Sequence, residues 1–272
     1  MKKKYIIYLV LIIFISCKNE YKTYYPNGAL HILSQENGNH KLDGEFKEFY
    51  ENGTIEAISN YTNGRLDSTL LYEKNGQLSL ALHYKKNDTI YCKNFKDNKL
   101  ERSGNIYKKR KIGYWYTYNK MGLKTAKYEY INLKNNEYLN QNWNYDNQGR
   151  LIRNAGNNYT ISYAKKNYAV GDTVIFKIHY NSQLGKDSKA ILYLSPKIKN
   201  DFSNIDQVKF GPYYSNASNN DFKLYTIFSE NGNKNIRGYI QESLFQKDKP
   251  KEDQYLMREV YFNVPLFIKK KQ

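Results

Sequence analysis

Along the first half of the chain, aromatic and aliphatic residues recur in short runs that alternate with polar ones, and each run stops at a turn signal. In Gly44-Glu45-Phe46-Lys47-Glu48-Phe49-Tyr50 the alternation sends Phe46 and Tyr50 to one face of a strand. Asn-Gly closes such runs at Asn27-Gly28, Asn37-Gly38, Asn52-Gly53, Asn63-Gly64 and Asn75-Gly76, in steps of 10, 15, 11 and 12 residues. Degenerate copies continue at Asn87-Asp88, Asn98-Lys99, Met121-Gly122 and Gln148-Gly149. A two-residue type I′ turn needs positive φ at both central positions, and Asn-Gly tolerates that best, so the pattern predicts a hairpin at each copy. One strand and one turn fill each step, so two steps make a hairpin of roughly 23 residues. A single hairpin cannot bury a face, so several must stack into a long antiparallel meander.

Around the turns sits one phrase. Tyr25-Pro26-Asn27-Gly28-Ala29-Leu30 is repeated in Tyr50-Glu51-Asn52-Gly53-Thr54-Ile55, Tyr61-Thr62-Asn63-Gly64-Arg65-Leu66 and Tyr72-Glu73-Lys74-Asn75-Gly76-Gln77-Leu78. Tyr145-Asp146-Asn147-Gln148-Gly149-Arg150-Leu151 closes the series. The phrase resembles MORN-type repeats, in the bacterial variant built on Tyr-x-x-Asn-Gly-x-Leu, and the resemblance covers residues 21–153. It departs from the pattern between Asp88 and Asn140, where copies lose the Gly or gain insertions. The resemblance implies an extended antiparallel sheet that acts as a binding or assembly platform. Eukaryotic relatives are linked to membrane attachment and protein contacts, and some bacterial ones are labelled antitoxins.

Beyond Asn154–Asn158 the phrase disappears and longer apolar strands replace it. Tyr159–Tyr163, Thr173–Tyr180, Ala190–Leu194, Phe222–Phe228, Ile236–Gln241 and Arg258–Ile268 are rich in β-branched and aromatic residues. Val174, Phe176, Ile178 and Tyr180 share one face. Strands at this spacing predict an antiparallel β-sandwich over residues 157–272. The pattern is similar to an immunoglobulin-like or fibronectin-type domain, without its paired cysteines. The expected fold class is therefore all-β, a repeat-built meander followed by a sandwich.

The chain opens Met1-Lys2-Lys3-Lys4 and runs apolar from Tyr5 to Ile15 before Ser16-Cys17. A basic start, a short apolar core and a small residue before the break describe a secretory signal over residues 1–17. The apolar run is too short to span a bilayer as a helix, which takes about 20 residues. Phe14-Ile15-Ser16-Cys17 resembles the lipobox of bacterial lipoproteins, with Phe in place of the usual Leu. That resemblance implies diacylation of Cys17 as the mature N-terminus and anchoring in a membrane. An ordinary signal peptide ending at a Cys is the alternative. Lys18 follows Cys17, with no Asp there, and the resemblance to lipoproteins then implies the outer membrane of a Gram-negative envelope. Cys92, between Tyr91 and Phe95 on a strand-like stretch, is expected to be a buried, inert thiol.

Composition narrows the function classes. The 272 residues carry a formal charge of +17, only 2 Cys and 4 His, and 29 Tyr. These counts exclude a disulfide scaffold and a Cys/His zinc domain. The positive excess is +7 in residues 21–155 and +7 in 156–272. With no basic stripe, and with an export signal, nucleic acid is not an expected partner. His31, His40, His83 and His179 stand alone, and no nucleophile elbow, phosphate loop or dinucleotide fingerprint is present. Glu45 and Glu51 share a strand face opposite Glu48, as solvated positions do. Asp201, Asp206 and Asp221 lack calcium-loop spacing. The chain is therefore expected to be no enzyme and to hold no metal or cofactor.

The binding candidates are Lys108, Lys109, Arg110 and Lys111, followed by Trp115 and Tyr116. Basic residues beside exposed aromatics hold nucleic acid, anionic glycan or lipid head groups. Gly-x-Trp-x-Tyr is also a strand whose Trp packs on the sheet, so both readings stand, and Trp143 with Tyr145 shares the ambiguity. The expected function is a non-catalytic envelope lipoprotein that acts as a scaffold or binding module for a protein or glycan partner. The alternative is an immunity or antitoxin-like inhibitor of a secreted or envelope toxin.

Overall fold

The structure, a computed structural model, describes residues 19–153, 155–165, 167–182, 184–185, 187–209, 211–213, 221–247 and 254–271. The proposed signal segment 1–17, with Cys17, lies outside the described residues. Eleven strands follow one another in chain order in one antiparallel sheet. They are β1 (Asn19–Tyr24), β2 (Leu30–Glu36), β3 (Leu42–Phe49), β4 (Ile55–Thr62), β5 (Arg65–Tyr72), β6 (Leu78–Tyr84), β7 (Thr89–Lys96), β8 (Lys99–Tyr107), β9 (Arg110–Tyr118), β10 (Lys124–Leu133) and β11 (Asn136–Asn144). Two compact units divide the chain, one of residues 1–86 with 95–98 and one of residues 87–94 with 99–272.

In the first unit the loops, not a thick core, carry the repeat. Asn27-Gly28, Asn52-Gly53 and Asn75-Gly76 were expected to be two-residue type I′ turns, and the structure corrects this. Gly28 N donates to Tyr25 O and Tyr25 N to Ala29 O, so three residues form the loop. Gly53 and Gly76 close their loops in the same way. Each is a type I turn ending in a left-handed glycine, at φ +87°, +83° and +79°. The Asn keeps ordinary φ, and its side-chain oxygen accepts the N–H two residues on, from Ala29, Thr54 or Gln77. Asn63-Gly64 does form the expected turn, with φ of 51° and 82° between the paired Thr62 and Arg65.

Tyrosine hydroxyls tie one loop to the next. Tyr25 Oη donates to Phe49 O and Tyr50 Oη to Tyr72 O, both at 2.7 Å and across 24 and 22 residues. The structural period is thus one hairpin, and the phrase's tyrosine bridges neighbouring hairpins. At the opposite ends of these strands Asn37 Nδ2 donates to Asn63 Oδ1 and Gly64 N to Leu42 O. Among the described residues the buried positions of this unit are small, namely Ser34, Ala57, Ser59 and Thr69, with the Ser59 and Thr69 hydroxyls 3.0 Å apart. A single sheet buries little volume, so cross-strand pairs and ladder hydrogen bonds hold it.

The second unit contains two further sheets. One is β12 (Asn158–Tyr163), β14 (Thr173–Asn181) and β17 (Asp221–Ile227). The other orders β13 (Tyr168–Ala169), β19 (Tyr255–Lys269), β18 (Gly232–Phe245), β15 (Lys189–Leu194) and β16 (Gly211–Tyr213). Val174, Phe176, Ile178 and Tyr180 of β14 pack with Phe222 and Leu224 against Leu192, Ile240, Val260, Phe262 and Val264. The alternation of Thr173–Tyr180 therefore marked the buried face correctly. One pairing departs from an all-antiparallel layout, since β13 runs parallel to β19.

Candidate functional site

Strands β8 to β11 of the second unit carry the sequence-predicted binding residues. Lys108 and Lys109 are the two central residues of the β8–β9 turn, both left-handed at φ 47° and 65° between the paired Tyr107 and Arg110. Such a turn favours Asn or Gly, so two lysines there are held by the strands on either side. Lys108 Nζ lies 5.3 Å from the Tyr107 ring centre. Lys108, Arg110 and Lys111 line a small recess of about 70 Å³ with Asn132, Asn135 and Glu137. Lys109 lines neither this recess nor the larger groove.

Trp115 is 5% exposed and lies flat on Gly104 of the neighbouring strand. A Cβ at Gly104 would sit 2.3 Å from Trp115 Cδ2, so only glycine admits the indole. Trp115 Nε1 donates to Asn105 O at 2.9 Å, which satisfies its one polar atom. The indole thereby forms the floor of a groove of about 320 Å³, lined also by Arg102, Lys111, Tyr116, Thr117, Tyr128 and Tyr130. Of the six predicted binding residues, the groove gathers Lys111, Trp115 and Tyr116.

The charge at the groove is positioned, not free. Lys111 Nζ stands 4.9 Å from the Tyr130 ring centre and 5.7 Å from that of Trp115. Glu137 holds it from the side, accepting the Lys111 backbone N–H at 2.7 Å and lying 3.4 Å from Nζ. Arg102 is exposed and only loosely paired, 3.7 Å from Glu101. Lys124 Nζ lies 4.5 Å from the Tyr116 ring centre and does not line the groove. Arg102, Lys111, the Tyr128 and Tyr130 rings and the Thr117 side chain thus line one concave strip.

Arg102, Tyr128 and Tyr130 escaped the sequence reading. Tyr128 and Tyr130 are set in place by β9, in an unbroken register that puts Tyr128 opposite Trp115 and Tyr130 opposite Gly113. The Tyr–Glu–Tyr alternation is visible in the sequence, but the pairing that sets these rings beside Trp115 is not.

A second aromatic–cation contact involves Trp143. Lys127 Nζ sits 3.8 Å from the Tyr114 ring centre and 4.2 Å from that of Trp143. Burial between the rings pushes the Lys127 ammonium down from its ordinary value, against the opposing pull of Glu129. Burial and the Glu129 carboxylate push the Tyr114 hydroxyl up. Tyr145 has no part in this stack and forms a lone bridge to Leu151.

The other titratable candidates are dispersed. Asp201 accepts from Ser203 N, Asp206 pairs with Lys134, and Asp221 pairs with His179. Among the described residues no three His, Cys, Asp or Glu side chains converge as metal ligands. Cys92 is buried, its thiol contacts Asn94 Oδ1 at 3.0 Å, and burial pushes the thiol pKa up.

Residues 42–63 match the family model of a MORN repeat variant. The matched segment runs from Leu42 through β3, the Tyr50–Thr54 loop and β4 to Asn63, which is one structural hairpin. No curated protein matches the chain significantly.

Proposed function

We propose that the chain is a non-catalytic binding module of the bacterial envelope, anchored through an acylated Cys17, that holds a glycan or protein partner on its β8–β10 face. The observation that carries this reading is the groove of Trp115, Tyr128 and Tyr130 edged by Arg102 and Lys111. The half-exposed Tyr128 and Tyr130 rings above the buried Trp115 floor offer faces to sugar rings, and two cations with a hydroxyl suit carboxylate groups on such a ligand. An acidic glycan is therefore the partner class that the groove fits best.

The test titrates the detergent-extracted protein with oligogalacturonate and, as a neutral comparison, with chito-oligosaccharide. Binding of the acidic ligand that falls at least about tenfold in Tyr128→Ala and Lys111→Gln supports the reading, since stacking and charge-assisted bonds are each worth about 1–3 kcal/mol. Equal affinities in the wild type and both variants, with unchanged circular dichroism, overturn it. Anchoring is tested separately, by labelled fatty acid that enters the wild type and not Cys17→Ser.

A further inference from the structure

The outermost strand of the long sheet, β1, carries a pattern that complements itself. Among the described residues β1 pairs only with β2, so its other edge presents free backbone N–H and C=O groups. Five of its six residues are exposed, and Tyr21 is 55% exposed. Protective devices are sparse, since β1 has no proline and its Lys22 is already paired with Glu20 at 3.0 Å.

We propose that β1 pairs antiparallel with β1 of a second copy, centred on Tyr21. In that register Glu20 of each copy stands opposite Lys22 of the other, on one face, and Tyr21 stands opposite its own mate. Asn19 stands opposite Thr23, so polar residues face each other at both ends of the pair. Centring on Glu20 or Lys22 instead opposes like charges, and centring between Tyr21 and Lys22 aligns no charges at all. Opposite charges across a ladder stabilise it and like charges destabilise it, so the sequence selects one register.

The same geometry ends the assembly at two copies. At the far side of the sheet the outer edge of β11 is already occupied, with Asn142 N donating to Asn157 O and Ile152 N to Asn144 O. An antiparallel pairing of β1 with its own copy is isologous, so each copy uses its β1 edge once and the pair closes on its two-fold axis. This inference is independent of the groove, since β1 contributes no residue to it.

The test measures dimer dissociation of the full chain by sedimentation equilibrium in density-matched detergent. Glu20→Lys and Lys22→Glu each place like charges at both symmetric positions, and each is expected to weaken the dimer roughly tenfold or more. The double variant Glu20→Lys/Lys22→Glu restores the pairing and is expected to return to within about threefold of wild type. Because residue 21 faces its own mate, Tyr21→Cys in a Cys92→Ser background is expected to cross-link on oxidation. A dimer whose single reversals are not rescued by the double overturns the register. A monomer overturns the proposal.

Discussion

Asn140 holds the seam between β11 and β19, and its replacement is the sharpest test of how the second unit is built. Its side-chain amide imitates a strand residue. Nδ2 donates to Tyr261 O and Oδ1 accepts from Tyr261 N, both at 2.8 Å, while Nδ2 also reaches Glu129 Oε2 at 2.8 Å. Asn140 is 2% exposed, so Asn140→Ala strands a buried N–H and a buried C=O of Tyr261. Each orphaned group costs about 1–3 kcal/mol, which gives about 2–6 kcal/mol in all, less where water enters the gap. For a unit of this size, at about 2–4 °C per kcal/mol, that lowers Tm by roughly 4–24 °C. Urea unfolding followed by near-ultraviolet circular dichroism measures the loss, and hydrogen exchange measures protection of the Tyr261 amide. Asn60→Ala, which removes an exposed bond to Ser68, is the control and should change stability by less than about 0.5 kcal/mol. A loss of that small size at Asn140, with the Tyr261 amide still protected, refutes the account of the seam.

Three further outcomes follow from the packing. Gly104→Ala forces a methyl into the Trp115 ring and should cost about 1–3 kcal/mol or more, and Trp115→Ala about 3–5 kcal/mol, both read by denaturant midpoint. Tyr50→Phe deletes only the hydroxyl bond to Tyr72 O and should lower stability by about 0.5–1.5 kcal/mol, read as a shift in midpoint without a change in slope. Alkaline titration tests the buried tyrosines: burial, then Glu259 and Tyr193, raise Tyr239 from the ordinary 10.0 to about 12, and burial also raises Tyr180 and Tyr261. Below pH 10 folded and unfolded states keep the proton alike. Between pH 10 and 12 the unfolded chain releases protons that the fold retains, so stability should fall across that window. The share of tyrosinate absorbance that belongs to these buried tyrosines should rise in step with unfolding, and a full titration with the fold intact would contradict it.

Much of the fold is legible because its signals are local. Thr173–Tyr180 reads as a half-buried strand since one face must be apolar, and the structure buries Val174, Phe176, Ile178 and Tyr180. The loops were legible as positions and not as types. Asn-Gly suits both a two-residue type I′ turn and the last two positions of a three-residue loop. What decides is which flanking pair closes, Tyr25 with Ala29 but Thr62 with Arg65, and that depends on the register of the whole strand. Strands β13 and β16 were missed because two or three residues carry no periodicity. The groove was half legible for the same reason. Lys111, Trp115 and Tyr116 are close in sequence, whereas Arg102, Tyr128 and Tyr130 arrive by cross-strand pairing with β9.

The tyrosine of the repeated phrase, at Tyr25 and Tyr50, has its explanation in the thinness of the first unit. A sheet whose buried centre is Ser34, Ala57, Ser59 and Thr69 cannot rely on core volume, so the loops that join its strands must be fixed by other means. A phenylalanine at Tyr25 or Tyr50 would supply the ring but leave the carbonyls of Phe49 and Tyr72 to solvent. Tyrosine supplies both, a half-buried ring beside the turn and a donor that reaches the next hairpin. A bond repeated at 24 and 22 residues makes each hairpin's loop a restraint on its neighbour. Stability of the meander should then spread along nearest-neighbour steps, so that damage at Tyr50 loosens the hairpins on either side of it before the rest of the sheet.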